Sequence, residues 1–80
     1  MSELVDRAKV ILSRELNVDV SALLPDRRLR EDLGMDSIMA LNLIFAAERE
    51  LDVVIKEEEV VALVTVQDLE RLVDRFSDQM

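Results

Sequence analysis

Apolar side chains recur at helical spacing in three stretches of this 80-residue chain, and between the first two stretches the pattern breaks. From about Ser2 to Leu16, the residues Val5, Ala8, Leu12 and Leu16 step by three and four, with Leu4 and Ile11 beside them. Asp6, Arg7, Lys9 and Arg14 fall on the other side. The spacing predicts an amphipathic helix. Ser2 is its expected N-cap, and Asn17, a residue type that tolerates left-handed backbone, its expected end. A second helix is predicted from Ser37 to Leu51, capped by Asp36 at the positive end of the helix dipole. It carries two apolar stripes. One is Ala40, Leu43 or Ile44, Ala47 and Leu51; the other is Ile38, Leu41 and Phe45, continued by Met39. A helix in a small bundle buries one stripe, so the second is surplus to the core. Residues 57–62 predict a short helical turn with Val60, Val61 and Leu63 inward and Glu57, Glu58 and Glu59 outward. Thr65 and Asp68 resemble a capping box with aspartate in the usual glutamate place. Val66, Leu69, Leu72, Val73 and Phe76 then step at helical spacing through a last helix.

Residues 17–36 obey no single period. Val18, Val20, Leu23, Leu24, Leu29 and Leu33 are scattered among charges, with Pro25 in the middle and Gly34 near the end. Connections of this length are uncommon in a compact domain and usually functional. Their apolar residues, Leu33 among them, should pin the segment onto the helices. The predicted fold is therefore all-α: a small four-helix bundle of three main helices and one short one, with a long loop between helices 1 and 2.

Half of the residues are hydrophobic, enough for one small core and not for two, so residues 1–80 read as a single domain. There is no cysteine to form disulfides or thiolate metal sites, and histidine, tyrosine and tryptophan are absent too. The commonest general base is thus missing. Eighteen acidic against ten basic side chains leave a charge of −8, which opposes binding to nucleic acid or an anionic membrane surface. No long uncharged apolar run predicts a membrane span or signal peptide. The composition describes a soluble, cytoplasmic, monomeric chain with few of an enzyme's groups. The acidity is uneven: residues 31–80 hold 13 acids against 4 bases, residues 1–30 hold 5 against 6.

One local feature points to chemistry. Asp36-Ser37 follows Gly34 and heads the second helix, where backbone N–H groups lack partners and the dipole is positive. A phosphate ester on Ser37 would be stabilised there by roughly 0.3–1 kcal/mol. On the dipeptide alone, an ordinary helix cap is the competing reading.

The flanking residues decide between them. Leu29-Arg30-Glu31-Asp32-Leu33-Gly34-Met35-Asp36-Ser37-Ile38 resembles the 4′-phosphopantetheine attachment motif of acyl carrier proteins, with isoleucine in place of the final leucine. The similarity runs over nearly the whole chain, and Thr65-Val66-Gln67 matches the family's final helix cap. A chain that starts at Met1 and ends soon after its last helix looks like the discrete type of carrier. The resemblance implies that Ser37 accepts a covalent 4′-phosphopantetheine arm from coenzyme A, added by a separate phosphopantetheinyl transferase that brings its own magnesium. The arm would hold acyl groups as thioesters and show them to acyl-loading, condensing and modifying enzymes of fatty-acid, polyketide or related lipid biosynthesis. Ser37 would be an attachment point and not a nucleophile, leaving the chain with no catalytic residue and no metal ligands of its own. Gly34 would permit the turn into the helix, and Asp36 would cap it and offer a charge to the transferase.

The resemblance also places partner contacts on the second helix, at Ile38, Met39, Leu41, Asn42, Phe45, Glu48 and Arg49. Met39, Asn42 and Arg49 stand where such carriers usually have acids, so this face is more apolar and less acidic than is typical. That departure suggests a specialised carrier. Lys56 stands where many relatives carry proline, and Val60, Val61 and Val64 make the short helix apolar and β-branched, which lowers its intrinsic stability. In this fold an acyl chain can enter a pocket between the second and third helices. Peptidyl and D-alanyl carriers are the nearest alternatives, although peptidyl carriers usually place glycine and histidine where this chain has Met35-Asp36. A cofactor-free helical adaptor is the rival from another class. A calcium loop is excluded, because the only glycine would put Leu29 at the first ligand position.

Overall fold

The computed structural model describes residues 3–77, and the expected cap at Ser2 lies outside them. The chain forms α1 (Glu3–Leu16), a one-turn 3₁₀ helix (Val20–Ala22), α2 (Ser37–Leu51), α3 (Glu57–Val61) and α4 (Val66–Ser77). This is the predicted all-α bundle of three main helices and one short one. Among the described residues there is no strand, only an isolated antiparallel bridge between Arg28 and Thr65.

Each long helix buries the stripe that its spacing singles out. α1 turns Leu4, Val5, Ala8, Ile11, Leu12 and Leu16 inward and packs against both α2 and α4. α2 buries Ala40, Leu43, Ile44, Ala46, Ala47 and Leu51. The most deeply buried side chains are Leu12, Leu29, Leu43, Val66 and Val73, so all three long helices and the loop meet at one core. Asn17 (φ +54°) closes α1 in the left-handed conformation as expected, and Asp52 (φ +54°) does the same for α2.

Main-chain bonds hold the loop in place. Leu29 N–H donates to Val64 C=O at 2.8 Å, Val66 N–H to Arg27 C=O at 3.0 Å and Gln67 N–H to Pro25 C=O at 3.0 Å. The last two satisfy N–H groups in the first turn of α4 that have no intrahelical acceptor. Thr65 and Asp68 form the predicted capping box: Asp68 N–H donates to Thr65 Oγ1 at 3.2 Å, and Asp68 Oδ2 accepts from Thr65 N–H at 3.0 Å. The same oxygen also accepts from Val64 N–H.

Three expectations change. Val61 is 78% exposed and does not point inward. A five-residue helix offers the bundle one narrow face, which Val60 and the following Leu63 occupy, and Val61 lies about 100° around from Val60. Glu59, expected to point outward, is engaged: its Oε1 accepts from Lys56 N–H at the start of α3, and its Oε2 accepts from Arg75 of α4 at 2.8 Å. Leu33 is half-buried against the core, but the deep anchors of the loop are Leu23, Leu29 and Met35.

Candidate functional site

The entry into α2 is a wound turn. Asp32 and Leu33 N–H donate to Arg28 C=O, Gly34 N–H to Arg30 C=O, and Met35 N–H to Leu29 C=O. Asp32 also accepts from Arg28 N–H at 2.8 Å, and this bond holds its carboxyl below the usual range. Gly34 has φ +75°, a conformation that costs other residues strain. A Cβ built on it meets nothing within 4 Å, so the turn uses glycine for its backbone freedom and not for space. Met35 precedes the cap and packs beside Ala40 four helical positions in, the arrangement of a hydrophobic staple. Sequence reasoning passed over Met35 as an anchor, though its position next to the cap is the signal that finds it.

Asp36 caps α2 from extended backbone, its Oδ1 accepting from Met39 N–H at 2.8 Å. Ser37 is the first residue of the helix and is exposed. Its N–H and that of Ile38 belong to the first turn and have no intrahelical acceptor. The hydroxyl is free in a way that others are not. Ser13 donates to Val18 C=O, Ser21 bonds Asp19, and Thr65 accepts from Asp68, whereas no described group bonds Ser37 Oγ. An exposed, uncommitted hydroxyl at a helix head, in a chain with neither histidine nor cysteine to activate it, suits modification by another protein and not catalysis.

One face of α2 runs outward from this point. Ile38 (71% exposed), Leu41 (56%) and Phe45 (58%) form the surplus stripe, with Asn42 and Arg49 exposed beside it. Two of the seven expected contact residues are otherwise engaged. Met39 is half-buried against the core, and Glu48 accepts from Ile55 N–H at 2.9 Å, tying the segment after α2 back to the helix. Between α2 and α3 lies a cleft of about 320 Å³, lined by Ala40, Leu43, Ile44, Val60, Val61 and Leu63, with Met35 and Arg30 from the loop.

Among the described residues, then, the head of α2 presents an exposed hydroxyl without a partner, and the cleft between α2 and α3 opens further along the same helix. Residues 6–73 match the family model described as the phosphopantetheine attachment site. The chain is 31% identical over 78 residues to the acyl carrier protein of Karelsulcia muelleri, covering 98% of this chain and 94% of that one. It is 40% identical over 68 residues to the acyl carrier protein of Thermosynechococcus vestitus (85% and 84% covered). It is 45% identical over 60 residues to the acyl carrier protein MbtL of Mycolicibacterium paratuberculosis (75% and 67% covered). The chain belongs to the acyl carrier protein family. It is a carrier on which enzymes act, and its prosthetic group is covalent 4′-phosphopantetheine. At the head of α2, Ser37 is exposed, and its N–H and that of Ile38 have no intrahelical acceptor, a setting that fits a phosphate-bearing group. No described helix is long and apolar enough to cross a membrane.

Proposed function

We propose that Ser37 is the attachment residue, within a carrier domain spanning residues 1–80, and that the chain presents acyl groups to a dedicated polyketide, lipid or secondary-metabolite pathway. In the attachment, Ser37 Oγ forms a phosphodiester with the pantetheine-side phosphorus of coenzyme A as the P–O–P bond of its pyrophosphate breaks; the hydroxyl proton goes to the transferase's base, and adenosine 3′,5′-bisphosphate departs. The transferase supplies the base and magnesium. The group, once attached, supplies a thiol that carries acyl chains as thioesters. Asp36 fixes the helix start that presents the hydroxyl, and Gly34 sets the turn before it. The observation that carries the assignment is the exposed Ser37 hydroxyl, free of any described partner.

The dedicated pathway is supported by the outer face of α2. Ile38, Leu41 and Phe45 stand exposed with Asn42 and Arg49, and only Glu48 and Glu50 lend the helix acidity. Charge matching mainly speeds encounter and sets specificity, so such a face suits loading, condensing and modifying enzymes whose docking surfaces are apolar and not strongly basic. Intact mass after incubation with coenzyme A and a broad transferase tests the attachment: one phosphopantetheinyl adduct, abolished by Ser37→Ala, is expected. No adduct with a competent transferase favours a cofactor-free adaptor. For the pathway, the loaded protein is expected to be a poor substrate for general fatty-acid synthase enzymes, and full activity there overturns the specialised reading.

A further inference from the structure

Among the described residues, Arg30 is the one charged side chain lining the cleft between α2 and α3. The α2 wall of that cleft begins at Ala40, three residues after Ser37 and on the same side of the helix. Several other arginines are committed, and Arg27 and Arg71, which likewise make no ion pair with any described residue, do not line this cleft. Arg28 pairs with Glu31 and Asp32, Arg14 with Glu50, and Arg75 with Glu59. The Arg30 guanidinium has no hydrogen bond or ion pair with any described residue, although its carbonyl is held by Gly34 N–H. A guanidinium offers five donors in a planar fork that matches a carboxylate bidentately. A plain alkyl chain in the cleft would cover the arginine stem and leave the fork to water. A chain ending in a carboxylate would bury its methylenes and also pair with the fork. The surroundings sharpen the contrast, because residues 31–80 carry nine more acids than bases and repel a carboxylate elsewhere.

The carried chain is expected in this cleft from the family resemblance, and we infer that Arg30 selects there for acyl groups bearing a carboxylate. This rests on attachment at Ser37. A cleft of about 320 Å³ has room for a run of several methylene groups. The cargo class is thus a medium-length dicarboxylic acyl chain. The contact is non-covalent and the carboxylate stays ionised.

The test loads the full chain with octanoyl or octanedioyl pantetheine from the matching coenzyme A esters and follows thioester hydrolysis, each arm referred to its own free ester. Octanedioyl is expected to be protected roughly two- to fivefold more than octanoyl, the range of an exposed ion pair. Arg30→Gln should erase the difference and Arg30→Lys keep part of it. Amide shifts at Ala40, Ile44 and Val61 should move with either arm, and further with octanedioyl only when residue 30 is basic. The Arg30 side chain makes no bond whose loss would unfold the protein. Equal protection of the two arms overturns the inference. So does an Arg30→Gln effect of the same size on both, which would place Arg30 on the shared tether. An adduct on Ser37 with no difference between chains defeats this inference alone, whereas no adduct defeats the attachment and this inference with it.

Discussion

Asp36 and Ser37 are neighbours with divided tasks. The Asp36 carboxylate is turned onto its own helix, where it accepts from Met39 N–H, while the Ser37 hydroxyl has no described partner. Asp36→Ala should therefore lower stability by about 1 kcal/mol, and Asp36→Asn, which retains the accepting oxygen, should lower it much less. Urea denaturation measures both. If Asp36 also offers its charge to the transferase, the two variants should slow modification alike, because both lose the charge and only one loses the cap. Gly34→Ala meets no steric obstacle, so its cost is that of left-handed backbone, roughly 1 kcal/mol in the same assay.

At the scale of elements, the start of α4 is the most heavily bonded helix end described. Asp68 accepts from Thr65 and Val64 N–H, and these bonds hold its carboxyl below the usual value. A lowered folded value means that the stabilisation is complete above the unfolded value of about 3.9 and disappears as pH falls through the folded one. Asp68→Ala should cost about 1 kcal/mol at pH 7, and the gap to the parent should close as the pH is taken below about 4. Denaturant titrations across that range check the sign. α3 is the opposite case, a five-residue helix with no buried residue, joined to α4 through Glu59 and Arg75. Val61→Thr should change stability by no more than about 0.5 kcal/mol, because the side chain is mostly in water.

In the whole molecule, the loop of residues 17–36 is a structural layer and not a spacer. Leu29 has no exposed surface, and its N–H reaches Val64 C=O across the chain. Leu29→Ala should cost about 2–5 kcal/mol. An 80-residue chain sits toward the low end of the usual 5–15 kcal/mol, so thermal melting should fall steeply or the fold be lost. The same loop supplies Gly34, Met35 and Asp36 to the head of α2 and Arg30 to the cleft, so a destabilised loop should also impair modification of Ser37.

Much of this was legible in the residues alone. The bounds of α2, the caps at Asp36 and Asn17, and the Thr65–Asp68 box depend on residues within a turn of one another, and local sterics and hydrogen bonding specify them. The place of Ser37 as the first residue of α2 was legible for the same reason, since a helix start is set by the residues around it. The rest is non-local. Which carbonyls of the loop meet the first turn of α4, that Val61 faces water, that Glu48 is tied to Ile55 and that Glu59 reaches Arg75 all depend on which segments are brought together. Period and composition carry no information about that. Amino-acid order by itself determined the helices, their ends and the exposed serine; tertiary packing alone decided how the loop is laid across them, because a main-chain carbonyl looks the same in every residue until folding gives it a neighbour.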